Sequence, residues 1–367
     1  MAEETEKRKA DHIRICLNEN AQAREVATGF KDVSLVHRAL PETDKQKVSL
    51  ATTVFGYKFA APIIVGAITG GTAEATRINA IIAEAVEKLH LGMGVGSQRA
   101  AIENTKLEKT FSVTRKKAPN AFLVANIGGI QLVHGYGAKE VKKAIEIIDA
   151  DAVAIHLNPL QEAVQPEGQT SFKGVLEKIG EIAGAVDKPV IVKETGAGIS
   201  AEDAEKLEAA GVKGIDVSGV GGTSFAAVEH HRAKGKENSV QRFLGDAFWD
   251  WGIPTVASLI ETAQTVKIPV VASGGVRSGV DAAKALALGA SLASLSQPVL
   301  QAAVKGAEET EKVLSCLMAE LRNAMFLVGA GKVEQLMKVP VVVTGKTAEW
   351  LKARGFNVED YARRGVC

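Results

Sequence analysis

Residues 152–162 read A-V-A-I-H-L-N-P-L-Q-E, and their alternation decides the fold. Val153, Ile155 and Leu157 share one parity, and Ala154, His156 and Asn158 share the other. A strand here therefore turns branched apolar side chains to one side and small or polar ones to the other. The run is short, ends in polar residues and gives way to Pro159. That is the pattern of a parallel barrel strand, packed under helices on its outer face and delivering polar groups at its C-terminal end. Residues 214–218, G-I-D-V-S, repeat it, with Ile215 and Val217 against Asp216 and Ser218.

Working outward, eight such runs recur, at 62–66, 92–96, 122–126, 152–157, 189–193, 214–218, 269–273 and 291–295. The segments between most of them are helix-length and rich in Ala, Glu, Lys and Leu, several opened by Ser or Asp or closed by Gly. Strand and helix alternating eight times predict an α/β fold, a (β/α)8 TIM barrel with an N-terminal arm and a C-terminal helical extension. The expected division is one domain: an arm and β-hairpin over 1–60, the barrel core over 61–298, and C-terminal helices over 299–367. The stretch 219–251, polar and His-rich, reads as a long irregular loop of the lid or binding type.

The 367 residues are 46% hydrophobic and 24% charged with a net charge of +1. Such a balance points to no nucleic acid or membrane surface as partner. Cys16, Cys316 and Cys367 form no C-x-x-C pair and read as free thiols in a reducing compartment. The charged start of the chain has no signal-peptide character, and no apolar run approaches the roughly eighteen residues that span a bilayer. The cytoplasm is the expected location.

The residues that follow each strand are the ones to inspect, and they are unusually polar. They read A-I-T-G-G from Ala67, G-S-Q-R from Gly96, Asn126, H-L-N-P-L-Q-E from His156, Lys193-Glu194, S-G-V-G-G-T from Ser218, S-G-G-V-R from Ser273, and Ser296-Gln297. One polar residue at a strand end is ordinarily a cap or turn former; eight successive ends are harder to dismiss. S-G-G-V-R-S offers backbone N–H groups without side-chain bulk where barrels commonly hold a phosphate. With G-G-T and Ser296 it suggests a mononucleotide phosphate. A flavin mononucleotide would lay its ring over the mouth, where Lys193 would sit near the flavin N1 and O2, or would simply pair with a neighbouring carboxylate. Glu162 is either a solvated loop carboxylate or the one protein ligand of a magnesium ion bridging phosphate oxygens. The run K-R-K-A-D-H-I is either a disordered basic tail or an arm whose Arg8 and Lys9 close on a diphosphate. G-A-G-I-S-A at 196–201 imitates a dinucleotide fingerprint, but Ser200 with Asp203 reads as an ordinary helix start and Asp216 falls inside a strand.

In this order the segments resemble the type 2 isopentenyl-diphosphate isomerase family across nearly the whole chain, from R-K-A-D-H at Arg8 to A-S-G-G-V-R at Ala272. The resemblance implies an enzyme that uses reduced FMN and Mg2+, with NADPH or NADH as the flavin's reductant. It would interconvert isopentenyl and dimethylallyl diphosphate as a homo-oligomer, a tetramer or octamer. Carried over by motif, Arg8, Lys9, His12, Ser97, Gln98, Arg99, Asn158 and Gln161 bind substrate, with Gln161 and His156 catalytic. Ala67, Ile68, Thr69, Ser97, Asn126, Lys193, Ser218, Thr223, Gly275, Val276, Arg277, Ser296 and Gln297 surround FMN, and Glu162 holds the metal. The family's pattern has Met where Ile68 stands, and Ala with a basic residue where Ser296 and Gln297 stand. The rival reading is an FMN-dependent oxidoreductase of 2-hydroxy acids or nucleotides, for which His230 and His231 are the candidate bases.

Overall fold

The computed structural model describes residues 2–233 and 239–365; Cys367 and positions 234–238 of the 219–251 segment lie outside them. Eight parallel strands close into a barrel in sequence order: Ile63–Val65, Gly92–Gly94, Phe122–Gly128, Ala152–His156, Val190–Lys193, Gly214–Asp216, Val270–Ala272 and Leu292–Leu295. Closure is made by the eighth strand pairing with the first, Ala293 opposite Ile63 and Leu295 opposite Val65. Each expected run coincides with a strand, and the third strand continues two residues past its run, to Gly128. The parity expected of the fourth and sixth strands also holds: Val153, Ile155, Ile215 and Val217 lie in the apolar layer beneath the helices, and Ala152 and Ala154 lie within the barrel.

The barrel's floor is sealed by the hairpin Thr52–Val54 and Tyr57–Phe59. Its two-residue turn, Phe55-Gly56, has both φ positive, at 53° and 77°, the geometry that matches the twist of paired strands. Phe55 holds this conformation, unusual for a bulky residue, while its ring stacks on Phe122 at 6.0 Å, and Phe59 meets Phe122 edge-on at 5.3 Å. The lower barrel is thus lined with aromatic and branched side chains around a small cavity of about 40 Å³, and the larger open space lies toward the C-terminal ends of the strands.

Two regions differ from expectation. The segment 219–251 is largely helical, with helices Phe225–Arg232 and Ser239–Ala247. The first is capped by Ser224, whose Oγ accepts from the Ala227 N–H at 3.1 Å. It escapes a periodicity test because Ala226, Ala227, Val228 and Glu229 are all buried, leaving no polar stripe for the pattern to show. The basic run at the start lies within a helix, Ala2–Asn18. Beyond the barrel come helices Gln297–Lys305, Ala307–Leu327, Val333–Leu336, Gly345–Ala353 and Glu359–Ala362. Among them a strand, Val341–Val343, pairs antiparallel with Val33–Leu35 and ties the two ends of the chain together. No helix among the described residues is long and apolar enough to cross a membrane.

Candidate functional site

The barrel's mouth opens into a cavity of about 270 Å³ lined from all eight strand ends and from the arm helix. The third and fourth strands build its most constrained part. Asn126 donates its amide N–H to Val95 O at 3.0 Å, so its oxygen must turn the other way, to His156 Nδ1 at 2.8 Å. An amide oxygen only accepts; His156 therefore carries its proton on Nδ1 and leaves Nε2 bare. Burial, reinforced by the charges of Lys193, Lys9 and Arg8, holds His156 down to about 3, a neutral imidazole throughout the working range.

One turn further, Asn158 Nδ2 donates to Gln161 Oε1 at 3.2 Å and to Glu162 Oε1 at 3.0 Å. Glu162 Oε2 accepts from the Gln169 N–H at 2.6 Å. Asn158 Oδ1 is buried and has no protein partner, an unmet acceptor of the kind a bound cation or water would satisfy. Among the described residues no three His, Cys, Asp or Glu side chains gather as a metal site. One carboxylate with an unmet amide oxygen beside it nonetheless fits Mg2+, which keeps most of its shell as water and phosphate oxygens.

The arm helix crosses this mouth. Ile15 is buried with Ala21, Ala227, Val228 and Trp249, and Ile13 is buried in the main core. Burying a branched side chain contributes about 1.5–3 kcal/mol, enough to seat the helix and aim Arg8, Lys9 and His12 into the cavity. Lys9 Nζ donates to Ser97 O at 2.7 Å and stands 5.1 Å from the centre of the Phe111 ring. Burial, with the charge of Arg8 beside it and Glu103 opposing, lowers Lys9 to about 7. Arg99, at the second strand's end, is held by Glu103 at 2.8 Å. A pocket rim with Arg8, Lys9 and Arg99 converging on it is built for an anion.

The opposite side is built from glycine. Gly274 and Gly275 take φ of 95° and 75°, and a Cβ on Gly222 would fall 2.5 Å from Gly275 N. Two backbones thus touch where side chains are excluded. The helix Gly279–Ala287 closes its own N-terminus: Ser278 Oγ accepts from Asp281 N, Asp281 accepts from Arg277 N and Ser278 N, and Glu320 accepts from Gly279 N at 2.6 Å. The groups left to meet an anion are accordingly those of the preceding loop, with Gly275, Val276 and Arg277 lining the cavity, rather than the helix end. Across from it Ser296 and Gln297 open the helix Gln297–Lys305, which no side chain caps. This cradle fits the phosphate of FMN. Lys193 stands at the base of the cavity, donating to Glu194 O at 2.6 Å; burial lowers it while Asp216 and Glu194 oppose. A ring over the mouth would find the ammonium there.

The structure brings together, around one cavity, Arg8, Lys9, His12, Ala67, Ile68, Thr69, Ser97, Arg99, Asn126, His156, Asn158, Gln161, Glu162, Lys193, Ser218, Thr223, Gly275 to Arg277, Ser296 and Gln297. Gln98 is the correction. It is fully buried outside the cavity, its Nε2 donating to Ala144 O at 2.8 Å and its Oε1 accepting from Asn126 N at 2.9 Å. It supports Asn126 and does not face a substrate. His230 and His231 also lie away from the cavity, edge-on to Trp249 at 5.5 and 5.6 Å. Sequence reading missed Phe225, which lines the cavity, and Glu229, Arg232 and Glu167 beside it. Only the uncommon placement of a Glu within A-A-V-E, a helix otherwise apolar there, hinted at the second of these.

A closed parallel barrel with an anion-binding glycine loop on one side of its mouth and a basic rim on the other defines an α/β-barrel enzyme acting on a phosphorylated substrate with a phosphorylated cofactor. The chain matches the family model described as FMN-dependent dehydrogenase over residues 1–125 and 158–342. It is 50% identical to the isopentenyl-diphosphate delta-isomerase of Methanosarcina barkeri, covering 100% of this chain and 99% of that protein. It is 48% identical to that of Methanothermobacter thermautotrophicus, covering 97% and 99%. Among solved structures, a mandelate oxidase variant superposes with a TM-score of 0.63 at 20% identity, covering 92% of this chain and 98% of the other, and shares the fold. The chain belongs to the isopentenyl-diphosphate delta-isomerase family, in its type 2, FMN-dependent form.

Proposed function

We propose that the chain interconverts isopentenyl and dimethylallyl diphosphate, with reduced FMN against the glycine loop and Lys193, and Mg2+ held by Glu162. The observation that carries this is the pairing, across one cavity, of the basic arm with the Asn158, Gln161 and Glu162 cluster. Arg8, Lys9 and Arg99 would bind the diphosphate, and Glu162 beside the unmet Asn158 oxygen would hold a metal that supplies further positive charge against it. The five-carbon tail then lies beneath Gln161 and His156, inside the barrel's mouth. Reduced FMN, when bound, supplies an electron-rich ring that stabilises positive charge developing on the alkene and an exchangeable proton beside it. Gln161 holds its amide toward the reacting carbons, oriented by Asn158, and the arm helix excludes water.

The oxidoreductase rival needs a base to accept a proton as hydride leaves. Neutral His156, held at about 3, is too weak for that task, and His230 and His231 face elsewhere. We further propose NADPH or NADH as the flavin's reductant, a homo-oligomeric assembly and a cytoplasmic location. The test is anaerobic. One reduction of the FMN-loaded enzyme by dithionite should support many turnovers of isopentenyl diphosphate, and Gln161→Ala should lower solvent deuterium incorporation while leaving the reduced-flavin spectrum unchanged. Reductant consumed in proportion to product overturns the isomerase reading; wild-type deuterium incorporation in Gln161→Ala overturns only the role of Gln161.

A further inference from the structure

The helix Phe225–Arg232 carries a carboxylate that the reaction as described does not use. Glu229 is 0% exposed and follows three buried residues, Ala226, Ala227 and Val228. A buried carboxylate is costly unless its lone pairs are met, and those of Glu229 are met from three separate elements. Oε1 accepts from His12 Nε2 of the arm at 2.9 Å and from Gln161 Nε2 of the fourth-strand loop at 3.4 Å. Oε2 accepts from Arg232 of its own helix, and Arg232 Nη2 donates onward to Glu167 Oε1 at 2.6 Å. Glu167 in turn stands 3.9 Å from Arg8 Nη1. Burial alone would raise this carboxyl, but the bonds from His12 and Arg232 outweigh it and hold it below the usual range.

The consequence is geometric. An ionised carboxylate only accepts, so His12 must present an N–H to it from Nε2, and Gln161 must present its amide nitrogen. The reversed amide would set two acceptors face to face at Glu229 and two donors face to face at Asn158. The orientation of Gln161 is therefore fixed from both ends. We propose that Glu229 is a positioning residue for the isomerisation, latching the arm over the mouth through His12 and Arg232 and fixing the orientation of the Gln161 amide. The inference rests on the isomerase reading, and it joins the substrate's diphosphate end to its reacting end through one buried group.

The test uses the FMN-loaded, full-length enzyme. Glu229→Gln is nearly isosteric, yet its amide group must oppose either the His12 and Gln161 donors or Arg232. For isopentenyl diphosphate, KM should rise and kcat fall, each by about tenfold, with FMN affinity close to wild type. Trypsin should cut the arm at Arg14 faster in the variant. Combining it with His12→Ala should raise KM by less than the product of the two single effects, because both break the same latch. Glu229→Asp keeps the charge and shortens the reach; it should show the same KM rise and faster arm cleavage, and it serves where the Gln variant does not fold. Wild-type KM and arm cleavage in a folded Glu229 variant, or full multiplicativity in the double variant, overturns the proposal. A wild-type enzyme without isomerase activity would overturn the parent reading instead, and arm cleavage would still report on the latch.

Discussion

The buried Lys9 gives substrate binding a pH dependence whose sign and size follow from its surroundings. Burial, with Arg8 adjacent, brings its pKa to about 7, so in the free enzyme the ammonium is charged below that pH and neutral above it. A diphosphate beside it favours the charged form and raises the pKa. Binding above pH 7 must therefore draw a proton from solvent, and affinity falls as pH rises. With about one-tenth of the side chain charged at pH 8 and about one-hundredth at pH 9, KM should climb by close to tenfold per pH unit across that range and level off below 7. The assay is KM for isopentenyl diphosphate from pH 6 to 9, at saturating Mg2+ and with the flavin reduced. Lys9→Arg, whose charge does not titrate there, should flatten the rise. A flat wild-type profile between pH 7 and 9 would refute the reasoning, and so would a rise of the same steepness in Lys9→Arg.

Glu162→Gln removes the carboxylate of the proposed metal site, so the Mg2+ needed for half-maximal activity should increase by about tenfold or more, with FMN binding preserved; an unaltered Mg2+ titration returns Glu162 to an ordinary loop residue. Gly222→Ala places a Cβ 2.5 Å from Gly275 N and should push the phosphate loop outward. An overpacking cost of about 1–3 kcal/mol corresponds to roughly 5-fold to 160-fold weaker FMN binding, read by flavin fluorescence quenching; wild-type affinity would show that the cradle is not where the phosphate binds.

The barrel was legible because its strands announce themselves locally: short branched runs, each ending in a polar cluster, need no tertiary information to be seen. The site residues on those strand ends were legible for the same reason, since parity sends every second side chain to the mouth. Gln98 shows where parity stops. The second strand ends at Gly94 and a helix begins at Arg99, so strand parity gives no rule for the connecting loop, and Gln98 turns away between Ser97 and Arg99, which face the cavity. Glu229 shows the complementary failure. Its partners lie 217 and 68 residues away in sequence, and the one local sign, a Glu within the apolar run A-A-V-E, does not say what it will meet. The strand Val341–Val343 was unreadable for a like reason, being defined only by Val33–Leu35 at the other end of the chain. The arm could be read either as tail or as clamp because charge is all its sequence shows; Ile13 and Ile15, which decide the matter, act only through the surface they meet.

The distribution of charge around the mouth separates two demands that conflict in one reaction. The diphosphate requires cations, and the alkene, passing through or near a tertiary cation, requires that no free base or water approach it. Arg8, Lys9 and Arg99 stand at the rim. Over the part assigned to the five-carbon tail the groups are amides and a neutral imidazole: Asn158, Gln161 and His156. Both nearby carboxylates are already engaged, Glu162 by Asn158 and the Gln169 N–H, Glu229 by His12, Gln161 and Arg232. The bonds to Glu229 hold its carboxyl below the usual range, so it is not free to take a proton at random. The same bonds fix the amides that face the substrate, so the network which restrains the acids also sets the geometry of the reacting end. On the function proposed above, proton transfer would fall to the FMN side of the cavity and to Gln161, the two places where the deuterium experiment looks for it.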